Sequence, residues 1–93
     1  MTIGYLEIEL HIPTCHSLKE KRGVIKKHLH HIRTQYNVSA VELDGHDLWQ
    51  KTILGIVSVS NNQEIVEKVF YKLINSMKIK DDINVINYHM EMF

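Results

Sequence analysis

The 93-residue chain carries eleven Lys and Arg against eleven Asp and Glu, with 44% hydrophobic and 24% charged residues. Those proportions exclude intrinsic disorder and imply one small globular domain spanning 1–93, able to bury roughly 60–70% of its unfolded surface. One cysteine, Cys15, excludes an internal disulfide and fits a reducing compartment, while formal neutrality argues against a protein coated in positive charge for nucleic-acid binding.

The opening MTIGYLEIEL has no basic segment followed by an apolar run, so no signal peptide is expected. No apolar stretch approaches the roughly 20 residues that cross a bilayer, so a cytoplasmic protein with no membrane partner is expected. Ile3–Ile12 alternates, with Leu6, Ile8, Leu10 and Ile12 on one side and Tyr5, Glu7, Glu9 and His11 on the other. A period of two predicts a half-buried strand, which Pro13 ends because proline cannot donate to a ladder.

Ser17-Leu-Lys-Glu20 has the form of a capping box, in which serine and glutamate side chains satisfy free amides at a helix start. Leu18, Ile25, Leu29, Ile32 and Tyr36 then recur at helical steps. Gly23 weakens this helix by about 1 kcal/mol relative to alanine. Between Ser17 and Tyr36 stand Lys19, Lys21, Arg22, Lys26, Lys27 and Arg33 with one acid, Glu20, so charge is segregated onto this helix.

Asn37–Asp44 and Thr52–Ser60 are rich in β-branched residues and predict a hairpin whose connection holds the only tryptophan, Trp49. Asn61 or Asn62 caps a second helix with Ile65, Val66, Val69, Phe70, Leu73, Ile74 and Met77 inward. Val85–Phe93 alternates again. The order β-α-β-β-α-β, with right-handed crossovers, predicts an α+β ferredoxin-like sandwich: a four-stranded antiparallel sheet with two helices on one face.

Lys19, Lys26 and Arg33 line up every seven residues, with Arg22 and His30 alongside, a row suited to following a phosphate backbone. Its plainer account is a solvated surface that keeps a small domain in solution. The open sheet face lacks the aromatics with which RRM-type domains stack bases, and its mixture of Tyr, Val, Phe93 and charge suits a dimer surface better. Glu9, His11, His89 and Glu91 have metal-binding chemistry, but their spacing is that of any polar sheet face, and no metal site is expected. Cys15 precedes a helix N-terminus, which lowers a thiol pKa, but no base with an orienting third group accompanies it. Trp49 serves either to anchor its loop or to meet a partner.

Three segments carry a resemblance: His16-Ser-Leu-Lys-Glu-Lys-Arg22, Asp47-Leu-Trp-Gln50 and Leu54-Gly55. Together they resemble the YlxP-like family of small bacterial proteins, long carried as a domain of unknown function. The resemblance implies a ferredoxin-like fold and no enzyme activity, cofactor or catalytic residue. It also implies a gene neighbourhood of translation factors, hence an rRNA or ribosomal-subunit partner, and it points to Ser17, Lys19, Glu20, Lys21, Arg22, Asp47, Trp49 and Gln50 as candidate binding residues. His28-Leu-His-His31 departs from the family pattern and reads as variation on the outer helix face.

The expected function is thus a non-enzymatic small cytosolic binding protein that docks on structured RNA or the ribosome. Lys19, Lys21, Arg22, Lys26 and Arg33 would contact phosphates, with Trp49 and Gln50 as neighbouring contacts. The alternative is a homodimeric protein-interaction module using the open sheet face and the Trp49 loop.

Overall fold

A computed structural model describes residues 1–13, 15–45 and 50–93. Its elements are β1 (Thr2–His11), α1 (Leu18–Gln35), β2 (Ser39–Asp44), β3 (Lys51–Ser60), α2 (Gln63–Lys78) and β4 (Asn84–Met92). The strands form one sheet in the order β2-β3-β1-β4, with every neighbouring pair antiparallel. This is the ferredoxin-like arrangement, reached because each β-α-β unit crosses over one intervening strand.

Period-two patterning decides which side of the sheet the helices cover. Leu6, Ile8, Leu10 and Ile12 are fully buried, as are Leu54 and Ile56 of β3, while the odd-numbered β1 residues stay on the other face. Val66, Phe70, Leu73, Ile74 and Met77 of α2 close over the buried side. The approach is tight at Gly4, where a Cβ would stand 2.3 Å from Val66 Cγ1 and 2.7 Å from Phe70 Cε2. Any side chain there would lift α2 off the sheet.

Both helix starts follow their cap signals. The Ser17 hydroxyl accepts from the Glu20 amide at 3.1 Å, and the Glu20 carboxylate accepts from the His16 amide at 2.8 Å, one residue earlier than in the standard box. Of the two asparagines before α2, Asn62 is the cap, accepting from the Glu64 amide at 2.9 Å. The central β1–β3 ladder keeps one register for ten residue pairs, from Thr2↔Ser60 to His11↔Lys51. Both outer ladders contain a register shift, at Glu42/Asp44 in β2–β3 and at Glu9/Leu10 in β1–β4. Around the second, Ile86 and Tyr88 are 53% and 40% exposed, and β4 packs against the core through Val85, Met90 and Met92. No helix among the described residues is long and apolar enough to cross a membrane.

Candidate nucleic-acid interface

The basic residues of α1 divide into two groups once their partners are known. Lys21, Ile25, His28, Leu29 and Ile32 are its buried residues, a stripe at steps of three and four. Lys21 therefore lies on the core side and is only 1% exposed. Its ammonium pairs with the Glu42 carboxylate at 3.0 Å and donates to the Gly45 carbonyl, while the Thr52 hydroxyl donates to the same carboxylate. Gly45 has φ +84, a conformation that glycine adopts without strain. A charge at this depth needs partners, and Lys21 has them from β2 and the residue after it. The expectation that Lys21 contacts phosphate is thus corrected: its helical phase points it inward.

Two further cations are occupied. Lys27 bonds the Asp82 carboxylate at 2.5 Å. Arg33 straddles the Ala40 carbonyl, with Nε at 3.1 Å and Nη2 at 2.5 Å, and so ties the end of α1 to β2. The residue remains exposed, but two of its donors are committed within the fold. Lys19, Arg22 and Lys26 make no ion pair or side-chain hydrogen bond among the described residues, and all three are exposed. They stand at i, i+3 and i+7, hence on one flank, with His30 continuing the row.

Beside this flank lies an open groove of about 570 Å³ lined by Cys15, Lys19, Glu20, Gly23, Val24 and Lys27. Gln50 reaches the same end of the domain. Its side-chain amide donates to the Cys15 carbonyl at 3.3 Å, and its carbonyl accepts from the Ile12 amide at 2.8 Å. Gln50 and the start of the basic row are thus brought together. Asp47 and Trp49 lie outside the described residues, so the expected Trp49 contact has no placement.

A family model for a protein of unknown function (DUF503) matches residues 3–90. This chain belongs to the DUF503 family. It is also similar to the uncharacterized protein YlxP of Bacillus subtilis (strain 168), 39% identical over 72 residues, which are 77% of this chain and 78% of YlxP. Among solved structures, SnoaB, a cofactor-independent oxygenase from Streptomyces nogalater, superposes with a TM-score of 0.49 at 8% identity, over 99% of this chain and 90% of its own. A likeness of that size carries nothing about chemistry.

Other chemistry-bearing residues of this DUF503 domain take structural places. Cys15 is buried, and burial pushes its thiol pKa up, with Glu20 and Asp82 adding to the shift and Lys21 opposing it. The lowering that a helix start would give is thus not the direction found at Cys15, where burial is the largest cause and pushes the thiol up. On the sheet, Glu7 stands opposite His89 and Glu9 opposite Asn87, while Glu9 pairs with Lys51 at 3.1 Å and His89 with Glu91 at 2.8 Å.

His28 is a second correction. It does not lie on the outer face of α1 but is 4% exposed, with Nε2 bonded to Asp82 at 2.9 Å. Burial lowers its pKa, and the bond to Asp82 opposes that shift without cancelling it. Burial alone would raise the Asp82 pKa, but hydrogen bonds from Lys27 and His28 outweigh it and hold the carboxyl below its ordinary range. The signal for His28 was present in the sequence, because it is seven residues after Lys21 and three after Ile25.

Proposed function

We propose that this DUF503 domain is a non-enzymatic binding protein that docks on structured RNA through the exposed flank of α1. Lys19, Arg22 and Lys26 supply the phosphate contacts, and Gln50 lies at the near end of the row. The observation that carries this reading is the sorting of charge. Within α1, Lys21 and Lys27 are ion-paired and Arg33 has two donors committed to Ala40, while Lys19, Arg22 and Lys26, unpaired among the described residues, share one flank of a neutral protein. The burial of Cys15, which keeps its sulfur from solvent and substrate, supports binding over nucleophilic catalysis at this thiol. The translation-gene neighbourhood that the family resemblance implies directs the choice of polyanion to ribosomal RNA.

Three neutralised phosphates set a measurable salt dependence. The slope of log K against log salt is about −2 for single strands and about −2.7 for a duplex, so affinity falls roughly 20–40-fold between 50 and 200 mM salt. Binding to ribosomal RNA fragments, followed by fluorescence anisotropy at several salt concentrations, tests this. Exchanging Lys19, Arg22 and Lys26 together for glutamate abolishes the salt-dependent binding on this reading. Parental affinity in that triple variant overturns it.

A further inference from the structure

We propose that the open face of the sheet is an interface between two copies of this chain, formed independently of the RNA contact on α1. The face has two unlike halves. On one side Val41 and Leu43 of β2, Val57 and Val59 of β3, Ile3 of β1 and Phe93 after β4 are each 37–70% exposed. Register places them together: Ile3 stands opposite Val59, Val41 opposite Gly55, and Ile3 and Phe93 exchange backbone hydrogen bonds at 2.8 and 3.2 Å. Leu43 lies over Gly55, where a Cβ would come within 2.7 Å of it, so the glycine lets the leucine lie flat across the sheet.

The other half is polar, and its side chains satisfy one another. Glu9 pairs with Lys51, His89 with Glu91, and the Tyr5 hydroxyl donates to Glu7 at 2.9 Å. A surface of this kind repels a polyanion because of its glutamates, and it asks no opposite charge of a protein partner. The partner it fits is one whose face is likewise apolar on one half and internally paired on the other, which a second copy provides.

Size and symmetry agree. Three strands of nine or ten residues and one of six, about 4.8 Å apart at about 3.3 Å per residue, give a flat footprint near 550 Å². Two such faces together cover about 1,100 Å², just above the roughly 1,000 Å² that a specific interface needs. A two-fold axis lying between the sheets and across the strands sets β2 and β3 of one copy over β2 and β3 of the other, apolar half on apolar half. The helices then form the two outer layers, and each copy keeps its Lys19–Lys26 flank in water.

Sedimentation equilibrium of the purified chain, from about 1 to 200 µM, tests the proposal. A concentration-dependent monomer–dimer equilibrium is expected. Val57→Glu and, on a different strand, Val41→Lys each weaken it roughly 100-fold by placing an unpaired charge at the centre of the contact. Both positions face water in the single copy, so circular dichroism of the variants matches the parent. Ile65→Lys, on the exposed side of α2, leaves the equilibrium unchanged. A parent that stays monomeric across the range overturns the proposal and assigns the apolar strip to a different protein. A dimer that persists undiminished in both strand variants overturns it as well.

Discussion

Replacing Lys21 with alanine tests the division of the α1 charges most directly, because a surface cation and a buried one respond on different scales. Lys21 is 1% exposed, and its side chain faces a Glu42 side chain that is itself only 16% exposed. Truncation leaves that carboxylate without its ammonium, frees the Gly45 carbonyl and removes the packed lysine stem. Breaking one side of a buried pair costs about 3–5 kcal/mol; the residual exposure of Glu42 places this case near 3 kcal/mol. A 93-residue domain holds about 5–14 kcal/mol in all, and each kcal/mol moves Tm by about 4–8 °C, so a drop of roughly 12–24 °C is expected. Urea unfolding followed by circular dichroism measures the free energy. A cycle of Lys21→Met, Glu42→Gln and the double variant isolates the pair, with a coupling above about 1 kcal/mol. A loss within the 0–1 kcal/mol typical of surface ion pairs would refute the burial of Lys21 and return it to the exposed row.

Gly23→Ala should stabilise the domain by about 1 kcal/mol, seen as a higher urea midpoint, because nothing lies within 4 Å of the added Cβ and α1 gains a better helix former. Stability should fall on acidification in two stages. The His28 pKa is lower in the folded chain than its ordinary 6.5, so the unfolded chain binds the proton first; the contribution is complete above about pH 6.5 and is lost as pH drops through the folded value. Asp82, depressed below 3.8, adds a loss at still lower pH. Urea midpoints measured from pH 8 to 3 should show both stages, and His28→Asn should remove the first. Cys15 should react with a thiol reagent slowly in the native protein and quickly in urea, since burial both shields the sulfur and raises its pKa. Fast native labelling at pH 7 would contradict its buried place.

The fold was legible because its signals are local. Alternation in β1, the Ser17–Glu20 cap and the α2 stripe each depend on residues within a few positions of one another, and each element formed where its period placed it, except that Ile65, expected inward, stands 51% exposed in the first turn of α2. The candidate site was legible only in part. Lys19, Arg22 and Lys26 have no partner among the described residues, so composition alone described them. Lys21 and His28 were misread as surface because their partners, Glu42 and Asp82, are 21 and 54 residues further along. Helical phase pointed both inward, but hydrophobicity-based stripes skip polar residues, and a lysine or histidine in such a stripe becomes intelligible only with its carboxylate in view.

The register shifts in the two outer ladders govern what kind of assembly this sheet can enter. An edge strand that runs straight and regular offers its free amides and carbonyls to a further chain, and sheets that grow by edges have no natural end. Here the uninterrupted ladder is the interior one, β1 with β3, whereas β2 and β4 are each displaced partway along. Displacement kinks and twists the rim, which shortens the straight template that an incoming strand needs and disfavours edge-to-edge growth. Contact through the broad side of the sheet stops at two copies by symmetry. The same irregularities that blunt the rim therefore work against fibre growth in a molecule with six exposed apolar side chains on one face.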